Sequence, residues 1–398
     1  MDITIYPHKL VGTINAIPSK SQAHRLLICA AFADKQTRLN CPQTNRDIES
    51  TAACLQALGA KIEYVQGVYI IDPITSFPTE ATLPCGESGS TLRFMLPIVG
   101  ALGVEATFLL EGRLPQRPLS PLWKEMERMG CCLSRPSENT IYCQGKLRSG
   151  DYTIDGGVSS QYITGLLLAM ALMDGNRTLQ VTGKLESKPY VDMTLQAMSM
   201  FGIQSDDYTF HTRCRFCSPG QIQVEGDWSN AAFFLAANAL GSDIDLLGLN
   251  TQSTQGDRIV SELISDLKQN TTISAADIPD LIPVLSVLAA ANKGAEFTDI
   301  RRLRLKESDR VASVRAMLRS LGIQTDETEN TLTIHPGIIR GGIVDAVNDH
   351  RIAMSAAVAA TVADGPVTII GAQCVNKSYP SFWEVYRKLG GSYEQHLR

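Results

Sequence analysis

The chain has 398 residues, of which 44% are hydrophobic and 19% charged, values typical of a globular protein with two or three domains. Its net charge of −5 argues against a general basic field for nucleic acid or lipid, so any anionic ligand must be held by a local cluster of basic residues. The start, MDITIYPHKLVG, lacks a signal-peptide pattern and the apolar runs are too short to span a bilayer, so we expect a cytoplasmic protein.

Ten cysteines are scattered along the chain. Without a secretion signal, free thiols are expected in preference to a disulfide framework. His211, Cys214 and Cys217 in HTRCRFC could approach a zinc ion, but a fourth ligand at the usual spacing is missing. We therefore predict no metal site.

Six amphipathic helical segments recur, each followed by a turn and a short polar strand. In chain order they read TAACLQALGAKIEYV, PLWKEMERMGCCLS, TLQAMSMFGIQSDDY, SELISDLKQNTTIS, VRAMLRSLGIQTDET and FWEVYRKLGGSYEQ. Gly or Asn directly after a helix favours the left-handed conformation that ends it. We predict such a residue after each copy, at Gly59, Gly130, Gly202, Asn270, Gly322 and Gly390.

A second kind of helical segment also recurs six times and is rich in alanine and apolar on nearly every side. These segments read HRLLICAAFA, STLRFMLPIVGAL, QYITGLLLAMALM, NAAFFLAANAL, IPVLSVLAAA and RIAMSAAVAATVA. A helix that is apolar all round is a buried one. The two kinds of helix, with short strands between them, indicate six copies of one α/β unit, arranged as two domains of three units.

Each buried segment is preceded by residues suited to an N-cap: PSKSQAH, GESGST, GGVSSQ, EGDWSN, DIPD and VNDH. Lys20, Arg25, Arg93 and Arg351 lie in or beside these starts. If the buried helices run parallel within a domain, their positive N-terminal ends gather on one face together with these side chains. The pattern predicts a cleft for more than one anionic group.

The stretch RLRLKESDR, residues 302–310, concentrates opposed charges. Arg302 and Arg304 alternate with leucines, which predicts a strand with one basic face. Lys306 and Arg310, four residues apart, would then share a face of the helix that follows. Such a strand-to-helix turn suits an anion site, although a solvated charged surface is the alternative.

Other charged residues add candidates. Arg113 and Arg117 lie in the proline-rich EGRLPQRPL, and arginine presents a planar fork suited to phosphate or carboxylate. Asp280 could accept a proton from a substrate hydroxyl or simply cap a helix, and its spacing does not decide between the two. No Walker, GxGxxG or GxSxG motif occurs, so common nucleotide and serine-hydrolase sites lack support.

Nine segments resemble, in order, those of the enolpyruvylshikimate-phosphate synthase family: PSKSQAHR, ESGSTLR, QRPL, SSQYITGLL, ESKPYVDMT, DIPD, RLKESDR, NDHR and NKSYP. The resemblance implies an α/β (α+β) fold of two similar domains, each of three βαβαββ units with buried parallel helices, and a ligand cleft between the domains. It assigns residues 1–18 and 228–398 to a first, discontinuous domain and residues 19–227 to a second, with crossings near 18–19 and 225–227.

The implied reaction transfers the enolpyruvyl group of phosphoenolpyruvate to the 5-hydroxyl of shikimate 3-phosphate and releases phosphate, a step of the shikimate pathway to chorismate and aromatic amino acids. The family resemblance further implies a monomer without metal or organic cofactor, a target of glyphosate, and no nucleic-acid or membrane partner.

By the same resemblance, Asp280 accepts the hydroxyl proton, Glu307 delivers a proton to the methylene carbon, and Lys20 assists. The residues implied to bind shikimate 3-phosphate are Lys20, Ser21, Arg25, Ser159, Ser160, Gln161, Ser187, Asp280 and Lys306. Those implied to bind phosphoenolpyruvate are Lys20, Gly89, Arg117, Gln161, Arg310, Arg351 and Lys377.

Two positions depart from the family pattern. Glu87 and Arg302 stand where the family usually has Asn, and we expect the Glu87 side chain to point away from the anion pocket or to pair with an arginine. Two alternatives stay open: a related transferase acting on UDP-N-acetylglucosamine, and a non-catalytic anion-binding scaffold. The first carries a reactive Cys before its Arg-Pro, and EGRLPQRPL has none. The second would not need Asp280 and Glu307 among the cations.

Overall fold

A computed structural model describes residues 1–396, and this part of the chain divides into two compact units. The central unit is the continuous segment Pro18–Glu225. The terminal unit combines Met1–Ile17 with the chain from Gly226 onward. The chain passes between the units at Ile17–Pro18 and again at Glu225–Gly226.

Both units are built from short strands and helices that alternate along the chain. The strands are β1 Asp2–Tyr6, β2 Val11–Asn15, β3 Thr37–Asn40, β4 Lys61–Val65, β5 Val68–Asp72, β6 Glu80–Gly86, β7 Glu105–Leu110, β8 Cys131–Ser137, β9 Thr140–Gly145, β10 Gly150–Asp155, β11 Arg177–Thr182, β12 Thr209–Phe210, β13 Gln221–Gln223, β14 Asp243–Leu247, β15 Thr271–Ser274, β16 Ala295–Thr298, β17 Thr325–Glu327, β18 Thr331–Ile334, β19 Gly342–Asp345, β20 Val367–Ile370 and β21 Ser392–His396. The α-helices are α1 Lys20–Ala31, α2 Arg46–Ala57, α3 Gly89–Leu102, α4 Leu122–Arg128, α5 Ser160–Ala171, α6 Lys188–Met200, α7 Trp228–Ala239, α8 Val260–Asp266, α9 Ile282–Ala291, α10 Arg310–Ser320, α11 His350–Ala360 and α12 Phe382–Lys388. Short 3₁₀ helices cover Leu114–Gln116, Gly256–Ile259, Arg301–Leu305 and Ala372–Lys377.

One sheet arrangement repeats in both units. A parallel pair of strands is extended by antiparallel strands, as in the orders β6-β7-β9-β8 and β13-β3-β5-β4 of the central unit. The terminal unit contains β15-β16-β18-β17 and β19-β20-β1-β21 in the same pattern. Shorter versions are β10-β11-β12 and the pair β14-β2. The predicted α/β fold of repeated units is confirmed.

The alanine-rich helices lie inside the cores, as their all-round apolar surface predicted. Helices α1, α3 and α5 supply much of the core of the central unit, and α7, α9 and α11 do so in the terminal unit. Every residue of α11 is buried, and so is every residue of α9 from Ile282 to Ala290.

Five of the six predicted left-handed turn residues adopt that conformation: Gly59, Gly130, Gly202, Gly322 and Gly390. The prediction for Asn270 is wrong, because its φ is not positive. Helix α8 ends early, at Asp266, and right-handed turns continue the chain through hydrogen bonds such as Gln269 N–H to the Asp266 carbonyl, 3.0 Å. A left-handed stop is therefore not required there.

Side chains cap five of the six buried helices. The caps are Ser19, Ser88, Ser159, Asp227 and Asp349, each accepting a backbone N–H from the first turn. Helix α9 differs, since its N-cap residue is Leu281 and no side chain caps it. The interpretation of Asp280 as a helix cap is therefore wrong.

The predicted basic strand at Arg302–Leu305 is also wrong. Residues Arg301–Leu305 form a 3₁₀ helix, and Leu303 alone of the two leucines is buried. An apolar residue at every second position over so short a stretch is compatible with a strand or with a 3₁₀ helix. The Leu303 N–H donates to the Ile300 carbonyl, which is the bond of a 3₁₀ helix. Lys306 is extended and α10 begins only at Arg310, so the two do not share a helix face.

Among residues 1–396, no helix combines the length and hydropathy needed to cross a membrane. Within the same residues, no group of three His, Cys, Asp or Glu side chains is placed to hold a metal ion. His211 contacts the Asn176 side chain at 3.3 Å, while the thiols of Cys214 and Cys217 face backbone carbonyls two residues earlier.

Candidate functional site

Arg310 is the centre of a buried ion network in the terminal unit. Its side chain is only 1% exposed, at the first position of α10. The Nε atom donates to Asp349 at 2.9 Å, Nη1 to Asp280 at 2.6 Å and Nη2 to Glu307 at 2.7 Å. One planar guanidinium therefore holds three carboxylates, a task that its fork of donors allows.

Asp280 lies next to three cationic side chains of this network. Besides Arg310, it accepts a bond of 2.9 Å from Nη2 of Arg351, and the Lys306 Nζ lies 3.8 Å away. Burial by itself raises the pKa of Asp280, but the three surrounding positive charges outweigh burial and hold that pKa well below its ordinary value. The carboxylate is therefore ionised at neutral pH, the state required to accept a proton.

Lys306 is a cation of unusually low basicity. Burial is the main cause that lowers its pKa to about 8, and the charges of Arg302 and Arg310 act in the same direction while Asp280 opposes them. Arg302, which departs from the family pattern, thus acts on the site electrostatically. Near pH 8 the Lys306 ammonium gives up its proton far more readily than a surface lysine does.

Asp349 was not identified as a site residue from the sequence. It is fully buried, and one of its oxygens accepts bonds from Arg310 and, at 2.9 Å, from the Ser308 hydroxyl. The other oxygen accepts the Arg351 backbone N–H at 3.0 Å. Asp349 thus fixes two candidate anion-binding arginines. A buried Asp at a helix start, beside a basic residue in NDHR, was the signal available.

The starts of three buried helices meet at Arg351. Its Nη2 also donates to the Ser229 hydroxyl of α7 at 3.0 Å, and its Nη1 to the backbone carbonyl of Asp280, just before α9, at 3.2 Å. Lys377 lies at the end of a 3₁₀ helix and donates to the Asn348 carbonyl at 3.0 Å. Asn348 has a φ of 58°, a conformation that is uncommon outside glycine and often marks functional sites.

In the central unit, Lys20 pairs with an acid that the sequence did not single out. The lysine opens α1, and its Nζ donates to the Asp47 carboxylate in the first turn of α2 at 2.8 Å. Both side chains are largely buried. Asp47 therefore holds Lys20 at the N-terminal end of α1.

Arg25 lies beneath this surface, only 2% exposed. It donates to the hydroxyls of Thr194 and Thr164, at 2.8 and 3.2 Å. It also donates to the backbone carbonyls of Tyr190, at 2.9 Å, and Ser21, at 2.5 Å. Burial lowers the pKa of Arg25 to about 10, so it stays charged at neutral pH. Its contacts join α1 to α5 and α6 and fix the Ser21 backbone.

Gly89 opens α3 beneath two arginines. A Cβ atom at this position would lie 2.7 Å from Nη1 of Arg117 and would also collide with Nη1 of Arg93. Arg93 donates to the side chain of Gln161 at 3.1 Å, and Gln161 donates to the Ser90 hydroxyl at 2.9 Å. The first turn of α3 therefore combines free backbone N–H groups with guanidinium groups, which suits an anion.

The remaining predicted residues are at helix starts. Ser159 caps α5 by accepting the Gln161 N–H at 3.3 Å, and Ser160 is the first residue of that helix. Ser187 precedes α6 with a φ of 56° and is almost fully buried. Non-glycine residues in this region cost energy and recur at ligand sites.

Glu87 also departs from the family pattern, and its carboxylate lies against Gly112. A Cβ atom at Gly112 would come within 2.6 Å of the Glu87 carboxyl carbon, and the φ of Gly112 is +56°. The Glu87 side chain therefore contacts the loop that carries Arg113 and Arg117. The positive φ favours glycine at Gly112.

Known proteins match this chain along its whole length. A family model for EPSP synthase (3-phosphoshikimate 1-carboxyvinyltransferase) matches residues 5–386. The 3-phosphoshikimate 1-carboxyvinyltransferase of Clostridium kluyveri is 37% identical and covers 99% of this chain and 98% of its own, and that of Clostridium beijerinckii is 36% identical with the same coverage. The solved structure of EPSP synthase from Acinetobacter baumannii is 23% identical, with a TM-score of 0.80 over 99% of this chain and 100% of its own, which shows the same fold.

Proposed function

Because the chain belongs to the EPSP synthase family, we propose that it transfers the enolpyruvyl group of phosphoenolpyruvate to the 5-hydroxyl of shikimate 3-phosphate and releases phosphate. This step belongs to the shikimate pathway, and we expect the protein to act as a cytoplasmic monomer. The observation that carries the proposal is the Arg310 network, in which Asp280 and Glu307 are held as acids among cations. A site that only bound anions would need no acid there.

The chemistry requires one proton acceptor and one proton donor. Asp280 accepts the proton of the 5-hydroxyl as the hydroxyl oxygen bonds to C2 of phosphoenolpyruvate. Glu307, in its protonated form, delivers a proton to the methylene carbon. Phosphate then leaves with the proton that Asp280 took up, while the new methyl group returns a proton to Glu307 and the double bond re-forms. Lys20 assists these transfers. Atoms balance without any further reactant.

The cations offset the repulsion between substrates that together carry two phosphates and two carboxylates. We propose that Lys20, Gly89, Arg117, Gln161, Arg310, Arg351 and Lys377 bind phosphoenolpyruvate. We propose that Lys20, Ser21, Arg25, Ser159, Ser160, Gln161, Ser187, Asp280 and Lys306 bind shikimate 3-phosphate. Arg25 also makes four hydrogen bonds inside the central unit, one of which holds the Ser21 backbone. Positioning two reactants together contributes on the order of 7–11 kcal/mol to lowering a barrier.

The Arg310 and Arg351 contacts also bear on the basicity of Asp280. An incoming carboxylate that shares these guanidinium groups weakens their hold on Asp280, and the pKa of Asp280 rises toward its ordinary range. Substrate binding would therefore make Asp280 a better base at the moment it is needed.

The test measures phosphate release from phosphoenolpyruvate with and without shikimate 3-phosphate. Release should depend on both substrates. Asp280→Asn should lower kcat by about 100- to 10,000-fold, the usual effect of losing one acid–base group, while phosphoenolpyruvate still binds. Asp266→Asn on the exposed end of α8 is the control and should leave kcat unchanged. Near wild-type turnover in Asp280→Asn would remove Asp280 from the mechanism.

The same assay separates the alternatives. Phosphate release with UDP-N-acetylglucosamine in place of shikimate 3-phosphate would support the amino-sugar transferase, against which the absence of Cys from residues 111–119 argues. Binding of both substrates without any phosphate release would support a scaffold.

A further inference from the structure

Four buried polar side chains form a continuous chain through the central unit. His24 Nδ1 lies 2.7 Å from the Thr51 hydroxyl, which lies 2.7 Å from the Thr91 hydroxyl. The Thr91 hydroxyl lies 2.7 Å from that of Ser88. None of the four residues has any solvent exposure. The chain joins α1, α2 and the start of α3.

The state of His24 gives this chain a direction. Burial, with the nearby charges of Lys20 and Arg25, holds the pKa of His24 well below its ordinary value, so the ring is neutral. Its Nε2 is buried and has no hydrogen-bond partner among the described residues. A bare lone pair there costs less than a buried N–H, so we assign the proton to Nδ1, which donates to Thr51. The donors then run from His24 through Thr51 and Thr91 to Ser88.

The far end of the chain reaches the candidate anion site. Ser88 is the N-cap of α3 and accepts the Thr91 backbone N–H at 3.2 Å, and Gly89 follows directly. The Thr91 hydroxyl also lies 3.4 Å from the backbone carbonyl of Asp47, whose carboxylate holds Lys20. Because the single hydroxyl hydrogen of Thr91 is directed at Ser88, the link to the anion site runs through Ser88 and not through that carbonyl.

Packing does not require these hydroxyls. Valine nearly matches threonine in volume and would fill the space at Thr51, but it would leave the buried His24 Nδ1–H without an acceptor. A complete polar chain in such a place fixes the relative position of the elements that it joins.

We propose that Thr51 and Thr91, with His24 as the terminal donor, are positioning residues that set the first turn of α3 for the phosphate of phosphoenolpyruvate. The inference depends on the proposed function, since it concerns the affinity of that reaction's substrate. These residues touch no substrate and act through Ser88 and Gly89. Breaking one of the hydrogen bonds between these four side chains shifts the N–H groups of that turn away from the phosphate.

The test compares Thr51→Val with Thr51→Ser, which keeps the hydroxyl. Thr37→Val is the matched control, because Thr37 is equally buried in the same unit and its hydroxyl lies 2.7 Å from that of Ser218, far along the fold in β3. Steady-state kinetics give KM for each substrate, and thermal unfolding gives Tm. Thr91→Val repeats the test at the next link.

We expect Thr51→Val to raise KM for phosphoenolpyruvate by about threefold to tenfold, the effect of one lost hydrogen bond, with a change below about twofold in KM for shikimate 3-phosphate. Thr51→Ser should restore the wild-type KM, and Thr37→Val should lower Tm alone. The inference is overturned, while the function stands, if Thr51→Val changes Tm but leaves both KM values unchanged, or if it changes both KM values equally. Where Thr51→Val does not fold, the same criteria apply to Thr91→Val. A wild-type protein that releases no phosphate overturns the function and this inference with it.

Discussion

Arg310 can be buried in the terminal unit because each of its three guanidinium nitrogen atoms donates to a carboxylate. Bonds to Asp280, Glu307 and Asp349 compensate for the water that the group gives up. Breaking such a network by removing one partner leaves the others unpaired in a site of low polarity. The residue therefore contributes to stability apart from its proposed part in ligand binding.

Arg310→Lys keeps the charge but loses the planar fork, so at least one of the three carboxylates loses its partner. We expect the free energy of unfolding to fall by about 1–3 kcal/mol and KM for phosphoenolpyruvate to rise more than KM for shikimate 3-phosphate. Urea unfolding and steady-state kinetics measure the two effects. Arg315→Lys, on the same helix and paired with Glu327 nearer the surface, should cost less than about 0.5 kcal/mol. Equal rises in both KM values would mean that Arg310 organises the whole site.

Lys306 should impose a pH limit on the use of shikimate 3-phosphate. Its pKa is lowered to about 8, so the ammonium group that we propose to bind the substrate is lost as pH rises through that value. We expect kcat/KM for shikimate 3-phosphate to fall above about pH 8, since this ratio reports the free enzyme. Lys306→Arg should move the fall to higher pH, and an unchanged profile in that variant would assign the limit to another group.

The same shift acts on stability in the opposite direction. The folded-state pKa of Lys306 lies below its ordinary value of 10.5, so the unfolded chain binds more protons between about pH 8 and that value. The contribution of Lys306 to the free energy of unfolding therefore rises with pH over this window and is constant below it. Lys306→Met lacks this contribution, so the difference in free energy of unfolding between wild type and variant should rise with pH over this window.

At the scale of elements, α3 shows how one helix divides its tasks between its two ends. Its start carries Gly89 beneath Arg93 and Arg117, whereas its second half packs Gly100 against the core. The φ of Gly89 lies outside the left-handed region, so glycine is not needed there for a turn. A side chain at this position would have to displace the two guanidinium groups that approach it.

Gly89→Ala and Gly100→Ala should therefore have opposite consequences. In the first, a methyl group displaces the arginine side chains, so KM for phosphoenolpyruvate should rise about tenfold or more while Tm changes little. In the second, the methyl group would lie 2.8 Å from Cys131 Sγ and 3.1 Å from Leu147 Cγ, so overpacking should cost about 1–3 kcal/mol of stability with KM unchanged. A large drop in Tm for Gly89→Ala with a normal KM would show that the glycine is structural.

At the scale of the molecule, each unit has a hydrophobic core of its own. The core of the central unit draws only on residues between Ala23 and Val224, all within one continuous segment. The ends of that segment are joined by a hydrogen bond of 2.7 Å from Ser19 N–H to the Glu225 carbonyl. Such a segment meets the requirements for folding alone.

A fragment of residues 18–225 should therefore unfold in a single cooperative transition when heated. It should release no phosphate, because Asp280 and Glu307 belong to the terminal unit. Circular dichroism against temperature checks the first expectation, with the full chain as reference. A fragment without a cooperative transition would show that the core of the central unit needs the rest of the chain.

The sequence by itself determined the repeated units, the buried helices and their polar starts, because these follow from local periodicity and capping chemistry. The strand prediction at Arg302–Leu305 was wrong because so short a pattern also fits a 3₁₀ helix. The left-handed residue predicted at Asn270 was wrong because right-handed turns follow the helix there. The candidate substrate residues came from motif resemblance, and their roles stay predictions.

Only the tertiary structure decided which acid meets which base. Asp280 and Arg310 are far apart in the chain, as are Asp349 and Arg310, and spacing could not distinguish a helix cap from the partner of two arginines. Asp47 and the chain from His24 to Ser88 stayed hidden for the same reason. Contacts between separate helices depend on how the cores pack, and no local pattern in the sequence encodes that.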